Sequence, residues 1–580
     1  MEIVKNQITK YHICYSVDAS ECVRYAASEL LKYLLKSTSC PFPIFADKCK
    51  KRGPEILVGL TNRYSDLGEL VNYSKEAFLI KNIKEDIVIL GNSDRAVLYG
   101  VYYFLETYFG FRCFTSTCEK IDSIDELSLD DIYILKDFPF EYREAYFQDA
   151  FDGSFASKNM LNGTLSRIAD YQGGKVKWFN FHHSFFQLIN PDEYFDSHPE
   201  YFSLIDGERR KEHTELCLSN PEVREICYNK VRNWIINNPE YDVFSVSQEE
   251  WMGHFVKLAC ECNQCKKIDM ENESQSGSVI TFVNYILERL EKEFPDKLIH
   301  TFAYQYSRKT PTKVKPHKNL IVRLCNIECS WDMSIEEKAK DKSTEAYKFL
   351  NDLINWGKIT NRLYIWDYCV NFHNYLLPFP NLRTMVKNVN LYKKSNVKGV
   401  LMQGNFSYGG KGYLDELKAY LIARLLRGDN VVLEDLVKEF CDNYYGKASK
   451  YIYDYIFLWE DSVKGTNMWL YDDADSKLFN DDNIKQATIL MNKAVNAVSG
   501  VYLERVNVLE LGLEYLKLVR LPMNYPHRNE LIDDFAKRAK KAGITELFER
   551  TSFDLSIQMM KQSQYAKDRK NWYSLYYIMR

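Results

Sequence analysis

The chain has 580 residues, of which 46% are hydrophobic and 27% are charged, so it carries enough apolar side chains to fold and is not a disordered protein. Its 76 Lys and Arg residues nearly balance 80 Asp and Glu residues, and the net charge of −4 removes the electrostatic reason to expect nucleic acid or an anionic membrane as a partner. This length exceeds what one hydrophobic core supports and predicts about three domains.

Residues 1–137 have the pattern of a small, non-catalytic N-terminal α/β domain. The apolar runs EILVGL and DIVILG, each bounded by turn residues, predict strands at residues 55–60 and 86–91. The segment ECVRYAASELLKYLLK spaces Val23, Ala26 and Leu30 as one face of a helix. A second helix is expected after DIVILG, with Ser93 or Asp94 as its N-cap.

Residues 138–428 repeat an alternation of strand, loop and helix. The eight candidate strands are EYREAYF, KWFNFHH, ELCLS, DVFSVSQ, IHTFAYQY, LIVRLCNIE, RLYIWDY and GVLMQGN. Eight such units over this length predict a (β/α)₈ barrel, which would be the catalytic domain. A doubly wound open sheet is the alternative, but no glycine-rich phosphate turn follows any of the strands.

Residues 429–580 predict a C-terminal domain made of helices, with Gly446 and Gly500 at two helix ends. No strand alternation and no cluster of catalytic residue types is visible there. A role in packing or specificity is the expected one.

Polar side chains recur where the candidate strands end, which is where the functional residues of a (β/α)₈ barrel lie. Glu249 and Glu250 are the strongest indication, because adjacent carboxylates repel and one is expected to have the raised pKa that a general acid needs. The alternative is an exposed pair on a loop. Glu328 is the third candidate catalytic residue, since glycosidic hydrolysis pairs an acid with a second carboxylate. The candidate substrate-binding residues at the other strand ends are Arg143, His182, His183, Gln248, Tyr304, Trp366, Asp367, Gln403 and Asn405.

Fifteen cysteines, an odd number with several in apolar runs, indicate buried thiols in a reducing compartment rather than a disulfide framework. Cys260, Cys262 and Cys265 form a C-x-C-x₂-C cluster, for which a structural zinc would need a fourth ligand such as His254. Thiols that stiffen a loop are the favoured interpretation, and no cofactor is expected to be required. Without a signal-peptide pattern or an apolar run of roughly 20 residues, the expected location is the cytoplasm and no membrane partner is expected.

Several motifs resemble one bacterial family. FEYREAYF, FASKNMLNG, HPEYFSLIDGERR, LCLSNPEV, FSVSQEE and IVRLCNIEC are similar, in this order, to the family catalogued as domain of unknown function 4838. That family overlaps glycoside hydrolase family 163, whose members are endo-β-N-acetylglucosaminidases acting on N-glycans. The segment SDRAVLYGVYYFLETYFGFRCF resembles the N-terminal α/β domain that precedes the barrels of β-hexosaminidases and α-glucuronidases.

The resemblance implies roles for the acidic pair. In related barrels of the β-hexosaminidase type, the first acid orients the 2-acetamido group of the substrate and the second protonates the leaving oxygen. Carried over by position, Glu249 would polarise the acetamido group and Glu250 would be the general acid/base. The family motif more often reads Ser-Gln-Asn-Asp where this chain reads Ser-Gln-Glu-Glu, which leaves open whether substrate and mechanism are the same.

The expected function is therefore a glycosidase that cleaves an N-acetylhexosamine-containing oligosaccharide with retention and substrate assistance, Glu328 binding the substrate. Without an acetamido group, Glu328 or, as second choice, Asp367 would be the second carboxylate of a direct displacement. One alternative is an inactive carbohydrate-binding barrel. Another is an α-glucuronidase-like hydrolase in which Arg143 pairs with the sugar carboxylate. An oligosaccharide is the only expected partner, and the sequence does not predict the oligomeric state.

Overall fold

The computed structural model describes residues 1–250 and 257–562, and the chain divides into two compact units. Unit 1 contains Met1–Lys175, Cys369–Val386 and the segment from Gln403 onward. Unit 2 contains Val176–Tyr368 and Lys387–Met402. The three domains expected at residues 1–137, 138–428 and 429–580 are defined by where the predicted secondary structure changes type, and this division stays a prediction.

The N-terminal part of unit 1 is an α/β structure. Its strands are β1 (Glu2–Val4), β2 (His12–Tyr15), β3 (Ile44–Ala46), β4 (Glu55–Val58), β5 (Phe78–Ile83), β6 (Asp86–Gly91), β7 (Arg112–Thr115), β8 (Cys118–Lys120), β9 (Leu127–Ser128), β10 (Tyr133–Lys136) and β11 (Tyr142–Tyr146). Its helices are α1 (Glu21–Thr38), α2 (Asp94–Phe109) and α3 (Gly153–Lys158). Six strands form one sheet in the order β10-β5-β6-β4-β2-β3, in which β5 runs antiparallel to both of its neighbours and the other five strands share one direction.

The first two helices form as their sequence predicts. Val23, Ala26 and Leu30 are buried on one face of α1. The N-cap of α2 is Ser93, whose Oγ accepts a hydrogen bond from the backbone N–H of Ala96 at 3.3 Å. A Cβ at Gly100 would lie 2.7 Å from Ile89 Cγ2 of β6, so the glycine permits α2 to pack directly on the sheet.

The middle of the chain alternates strands and helices. The strands are β12 (Trp178–Phe179), β13 (Leu204–Ile205), β14 (Glu208–Arg209), β15 (Val243–Ser245), β16 (Leu298–Ala303), β17 (Leu320–Cys325), β18 (Leu363–Tyr368) and β19 (Val397–Gln403). The helices are α4 (Phe185–Leu188), α5 (Pro191–Tyr194), α6 (Pro221–Asn237), α7 (Asn263–Glu271), α8 (Ser276–Leu290), α9 (Ile335–Lys338), α10 (Glu345–Ile359) and α11 (Leu382–Lys394). A seven-stranded parallel sheet has the order β11-β19-β18-β17-β16-β15-β12 and curls into a half-barrel.

The curl of this sheet is visible in side-chain contacts within unit 2. The ring centroids of Trp178 on β12 and Tyr364 on β18 are 6.3 Å apart, although three strands lie between their strands in the sheet order. In a flat sheet the two strands would be about 19 Å apart, since neighbouring strands are spaced by about 4.8 Å. Both rings therefore lie on the concave face of a strongly curved sheet.

The third of the eight predicted strands is wrong. Residues 215–219 make a single bridge, between Leu216 and Phe202, and β12 pairs directly with β15. The short apolar alternation that suggested a strand has another cause, because Cys217 packs with Cys260 and Cys265 in a small buried cluster. The described residues thus supply seven of the eight expected strands, and the complete (β/α)₈ barrel stays a prediction.

The C-terminal part of unit 1 is helical throughout its described residues. The helices are α12 (Asp415–Leu426), α13 (Leu433–Tyr444), α14 (Ser449–Ser462), α15 (Asp481–Ala497), α16 (Gly500–Arg520), α17 (Arg528–Lys541) and α18 (Phe553–Gln562). Gly446 and Gly500 lie shortly after the ends of α13 and α15, and both have a positive φ, of 55° and 59°. Nowhere in residues 1–250 and 257–562 is a helix both long and apolar enough to cross a lipid bilayer.

A buried ionic cluster joins the two ends of unit 1. Glu106 on α2 accepts hydrogen bonds from Arg424 on α12 and from Arg427 just after it, the latter at 2.7 Å. Arg427 also pairs with Asp429 at 2.8 Å. Because the Glu106 and Arg427 side chains are 10% and 2% exposed, this cluster satisfies charges that would otherwise be costly to bury.

Candidate active site

The concave face of the sheet in unit 2 carries aromatic rings around one buried arginine. The guanidinium carbon of Arg323, in the middle of β17, lies 4.2 Å from the ring centroid of Trp178 and 5.3 Å from that of Trp366. The ring of Phe181, just beyond β12, lies 4.9 Å from the same carbon. Arg323 is fully buried, and a cation over aromatic faces is attracted more strongly where water is excluded. The floor of the half-barrel is therefore aromatic, with one buried positive charge among its rings.

Three histidines surround this floor. His183 has a left-handed backbone with φ of 50°, and its Nδ1 lies 2.7 Å from the backbone oxygen of Gln248, so Nδ1 donates there. The ring of His182 lies 5.7 Å from that of Trp366. His300 on β16 bonds to Ser245 Oγ at 3.1 Å, and burial, aided by the charge of Arg323, lowers the pKa of His300 well below its ordinary value. His300 is consequently neutral at physiological pH.

Glu249 is held by the polypeptide on two sides. Its Oε1 accepts a hydrogen bond from the backbone N–H of Phe186 in α4 at 2.9 Å, and its own N–H donates to Glu215 Oε2 at 3.2 Å. Glu215 is fully buried, and burial followed by the charge of Glu249 raises the pKa of Glu215 well above its ordinary value. Burial raises the pKa of Glu249 as well. Glu215 and Glu249 are thus the two neighbouring carboxyl groups of which one is expected to keep a proton.

Glu250 follows β15 and Glu328 follows β17, and the carboxyl ends of these parallel strands lie at the same edge of the sheet. The pKa of the Cys325 thiol, at that end, is raised first by burial and further by the charges of Glu328 and Glu250. Glu328 Oε2 accepts a hydrogen bond from Arg308 Nη1 at 2.8 Å, while Glu250 is half-buried. The two carboxylates that end β15 and β17 therefore share one region of unit 2, and one of them forms an ion pair.

The side chain of Asp367 is buried in unit 2 and accepts hydrogen bonds from buried neighbours. It is 1% exposed, and burial raises its pKa. Its Oδ1 accepts from Asn326 Nδ2 at 2.8 Å, from Trp331 Nε1 at 3.3 Å and from the backbone N–H of Tyr368 at 2.8 Å. Its Oδ2 accepts from the Tyr392 hydroxyl at 2.7 Å. This placement does not favour the predicted contact with a substrate.

Gln248 also points inward. Its amide nitrogen donates to the backbone oxygen of Phe302 at 3.1 Å and to Ser307 Oγ at 2.8 Å. The ring of Tyr304 packs 6.0 Å from that of Phe302, and its backbone N–H also donates to Ser307 Oγ. Gln248 thus fixes the loop after β16, whereas Trp366 and His182 line the concave face.

The three remaining predicted residues lie in unit 1. Arg143 is fully buried, pairs with Glu76 at 2.5 Å and donates to the backbone oxygens of Met160 and Phe140. Asn405 is buried, and its amide bonds to Asp415 and Ser407. Gln403 is largely buried, and its backbone oxygen accepts a hydrogen bond from the backbone N–H of Cys369 at 2.7 Å. Arg143 and Asn405 are structural in this arrangement, and the geometry does not favour Arg143 as a ligand for a sugar carboxylate.

Sequence reasoning missed three residues of this region. Arg323 interrupts the apolar strand LIVRLC, and a charged residue in the middle of such a strand was a usable indication of a special environment. Glu215 and His300 had no such indication, because each is brought to its neighbours only by tertiary packing. His254, the suggested zinc ligand, lies outside the described residues. Cys217 instead joins Cys260, Cys262 and Cys265 in a group whose sulfurs all lie within 4.8 Å of one another.

Two family profiles together match most of the chain. The profile of the family described as Domain of unknown function (DUF4838) matches residues 113–456, more than half of the chain. The profile described as Glycosyl hydrolase family 67 N-terminus matches residues 4–104. No curated protein matches the sequence.

Two solved structures share the fold at low sequence identity. One is a family GH115 4-O-methyl-α-glucuronidase with specificity for decorated arabinogalactans, at 11% identity and a TM-score of 0.53, covering 93% of this chain and 80% of that one. The other is a GH138 enzyme targeting pectin rhamnogalacturonan II, at 10% identity and a TM-score of 0.51, covering 96% of this chain and 79% of that one.

Proposed function

The chain belongs to the family described as Domain of unknown function (DUF4838), and we propose that it is a glycoside hydrolase acting on an oligosaccharide. The observation that carries the proposal is the pair of carboxylates, Glu250 and Glu328, which follow the parallel strands β15 and β17 in the unit whose concave face carries aromatic rings. Ligand sites combine such apolar linings with a few placed polar groups, and glycoside hydrolysis uses two carboxylates. The fold shared with the two carbohydrate-active enzymes supports the same reading.

In the proposed mechanism Glu250 is the general acid/base, which protonates the glycosidic oxygen as the bond to the anomeric carbon breaks. Glu328, paired with Arg308, is the second carboxylate, which acts on the opposite side of the sugar as nucleophile or as base for water. The aromatic rings around the buried Arg323 form the floor on which the sugar lies.

The substrate-assisted route fits the placement of Glu249 less well. That route needs Glu249 to hold the acetamido N–H of the substrate, whereas Glu249 Oε1 accepts the backbone N–H of Phe186. We therefore propose direct displacement, with Glu249 positioning the loop that carries Glu250. An N-acetylhexosamine is the first sugar to test, because the resemblance to glycoside hydrolase family 163 implies it.

A uronic acid is the second candidate substrate, because one of the two solved structures that share the fold is a 4-O-methyl-α-glucuronidase. Arg323 and Arg143 are both fully buried, so a cation that pairs with the sugar carboxylate would have to be another residue. In this version the same two carboxylates act on the glycosidic bond of a uronate.

The test is a panel of aryl glycosides with acetamido, hydroxyl and carboxylate sugars, assayed with the wild type and with Glu250→Gln and Glu328→Ala. Loss of the acid should lower kcat by about 10²–10⁴-fold for sugar leaving groups and much less for an acidic nitrophenol, which needs little protonation. If Glu328 is the nucleophile, azide should restore turnover to Glu328→Ala.

Glu291→Gln is the matched control, because Glu291 follows α8 and precedes β16, at the opposite end of the strands, and pairs there with His317. Full activity of Glu250→Gln on every substrate would show that another group is the acid. Tight glycan binding without turnover anywhere in the panel would instead support a carbohydrate-binding protein that has lost catalysis.

A further inference from the structure

Four cysteine side chains from two distant segments converge in unit 2. Cys217 follows the buried Glu215, while Cys260, Cys262 and Cys265 come from the segment that leads into α7. The Cys217 sulfur lies 3.6 Å from that of Cys260 and 3.7 Å from that of Cys262. These distances far exceed the roughly 2.05 Å of a disulfide bond. The four thiols are therefore grouped without being joined.

The spacing of the sulfurs matches a tetrahedral metal centre. Zinc binds thiolates at about 2.3 Å, so the sulfurs of a regular four-cysteine site lie about 3.8 Å apart along each edge. The separations of 3.6 Å and 3.7 Å from Cys217 agree with this edge, and all four sulfurs lie within 4.8 Å of one another. A central ion needs little movement of the side chains to be bound.

The surrounding donors suit negatively charged sulfur. The backbone N–H of Leu204, on β13, points at Cys260 at 3.3 Å, and that of Cys265 points at Cys262 at 3.4 Å. Cys262 is also the N-cap of α7, where the helix dipole favours an anion. Arg209 Nη1 lies 3.9 Å from the Cys260 sulfur. Two N–H groups, a helix terminus and a guanidinium thus face the cluster.

Burial and access also fit a structural site. Cys217, Cys260 and Cys265 are buried and Cys262 is half-exposed, so the site is enclosed yet open to solvent at one ligand. Four protein ligands leave no coordination position for water or substrate, which is typical of a structural rather than a catalytic zinc.

We propose that Cys217, Cys260, Cys262 and Cys265 bind one zinc ion as a structural Cys₄ site. Each thiol gives up its proton to solvent as the metal binds, and no electrons are transferred. The ion ties the segment that follows Glu215 to the segment that contains Cys260, Cys262 and Cys265, about ten residues after Glu250. The proposal is independent of the glycosidase assignment, because its readouts are metal content and thiol reactivity.

The first experiment measures metal in the full-length protein, produced with zinc in the medium and purified under reducing conditions. Mass spectrometry of the metal should find about one zinc per chain. Alkylation with iodoacetamide and peptide mapping should modify the exposed Cys49 at once and the four cluster cysteines only after treatment with a chelator. Cobalt(II) in place of zinc should give the visible absorption of a tetrahedral thiolate complex.

The second experiment uses Cys217→Ser, with Cys227→Ser, a buried cysteine of α6 outside the cluster, as matched control. The first variant should lose zinc to a competing chelator at least about tenfold more readily than the wild type, and the control should not. Wild-type protein without zinc, whose four cluster thiols react equally fast before and after chelation, would overturn the proposal. So would a disulfide among the four, or a Cys217→Ser variant that holds zinc like the wild type.

Discussion

Replacing Asp367 by alanine should destabilise unit 2 strongly. The carboxylate accepts hydrogen bonds from Asn326, Trp331, Tyr368 and Tyr392, and alanine leaves all four donors buried without this acceptor. Each buried donor that loses its acceptor costs about 1–3 kcal/mol, so even the lower value sums to about 4 kcal/mol. For a unit of about 200 residues this lowers the melting temperature by about 8–16 °C.

Asparagine at the same position is the matched control. Its side-chain oxygen can take the place of Oδ1, which alone accepts three of the four donors, and its amide can donate to the Tyr392 hydroxyl. We expect a loss of about 1 kcal/mol for Asp367→Asn. Thermal unfolding followed by circular dichroism measures both variants.

Two results would refute this reasoning. A shift below about 3 °C for Asp367→Ala would mean that the four donors find other partners at little cost. A variant Asp367→Asn that is as stable as the wild type but loses all activity would show that the carboxylate acts on substrate, as its place at a strand end first suggested.

The remaining predictions concern the charges around Arg308. Its side chain pairs with Glu328 at 2.8 Å, with Glu345 at 3.2 Å and with Asp352 at 3.1 Å. Urea unfolding should show that Arg308→Met destabilises unit 2 by about 3 kcal/mol and that Arg308→Lys destabilises it less. Equal stability of the methionine variant and the wild type would contradict the role of the ion pairs. Burial raises the pKa of Asp352 to about 6 despite Arg308. A carboxyl whose pKa is higher in the folded state binds more protons there than in the unfolded state, so its contribution to stability falls as pH rises through that interval. The free energy of unfolding of the wild type relative to Asp352→Asn should therefore fall by about 2 kcal/mol from pH 4.5 to pH 7. If the difference between the two proteins stays constant over this range, the pKa of Asp352 is not raised.

The sequence predicts a helix or strand correctly where a local residue pattern has only one structural explanation. Helix α1 and the strands β6 and β17 follow from apolar periodicity, and Ser93 follows from its capping chemistry. The prediction of a strand at residues 215–219 is wrong because the apolar alternation there reflects a thiol packed in a loop. Cys217 contacts Cys260, which lies more than 40 positions away in the sequence.

The candidate site was predictable only in part, for the same reason. A polar residue at a strand end faces either the substrate or the interior, and Asp367 and Gln248 use their polar atoms in the interior. The adjacent Glu249 and Glu250 suggested mutual repulsion, but the carboxyl whose pKa the charge of Glu249 raises is that of Glu215. Local sequence carries no record of that pairing, since it depends on where two loops meet.

The ionic cluster at Glu106 sets an order of events during synthesis. Its partners Arg424 and Arg427 are 318 and 321 residues further along the chain, so they leave the ribosome long after α2 does. At about 5–20 residues per second the delay is about 15–60 s. Meanwhile residues 176–368, which form most of unit 2, emerge as one continuous stretch and can fold first. The ionic cluster of unit 1 therefore forms last, and until then water must solvate the Glu106 carboxylate.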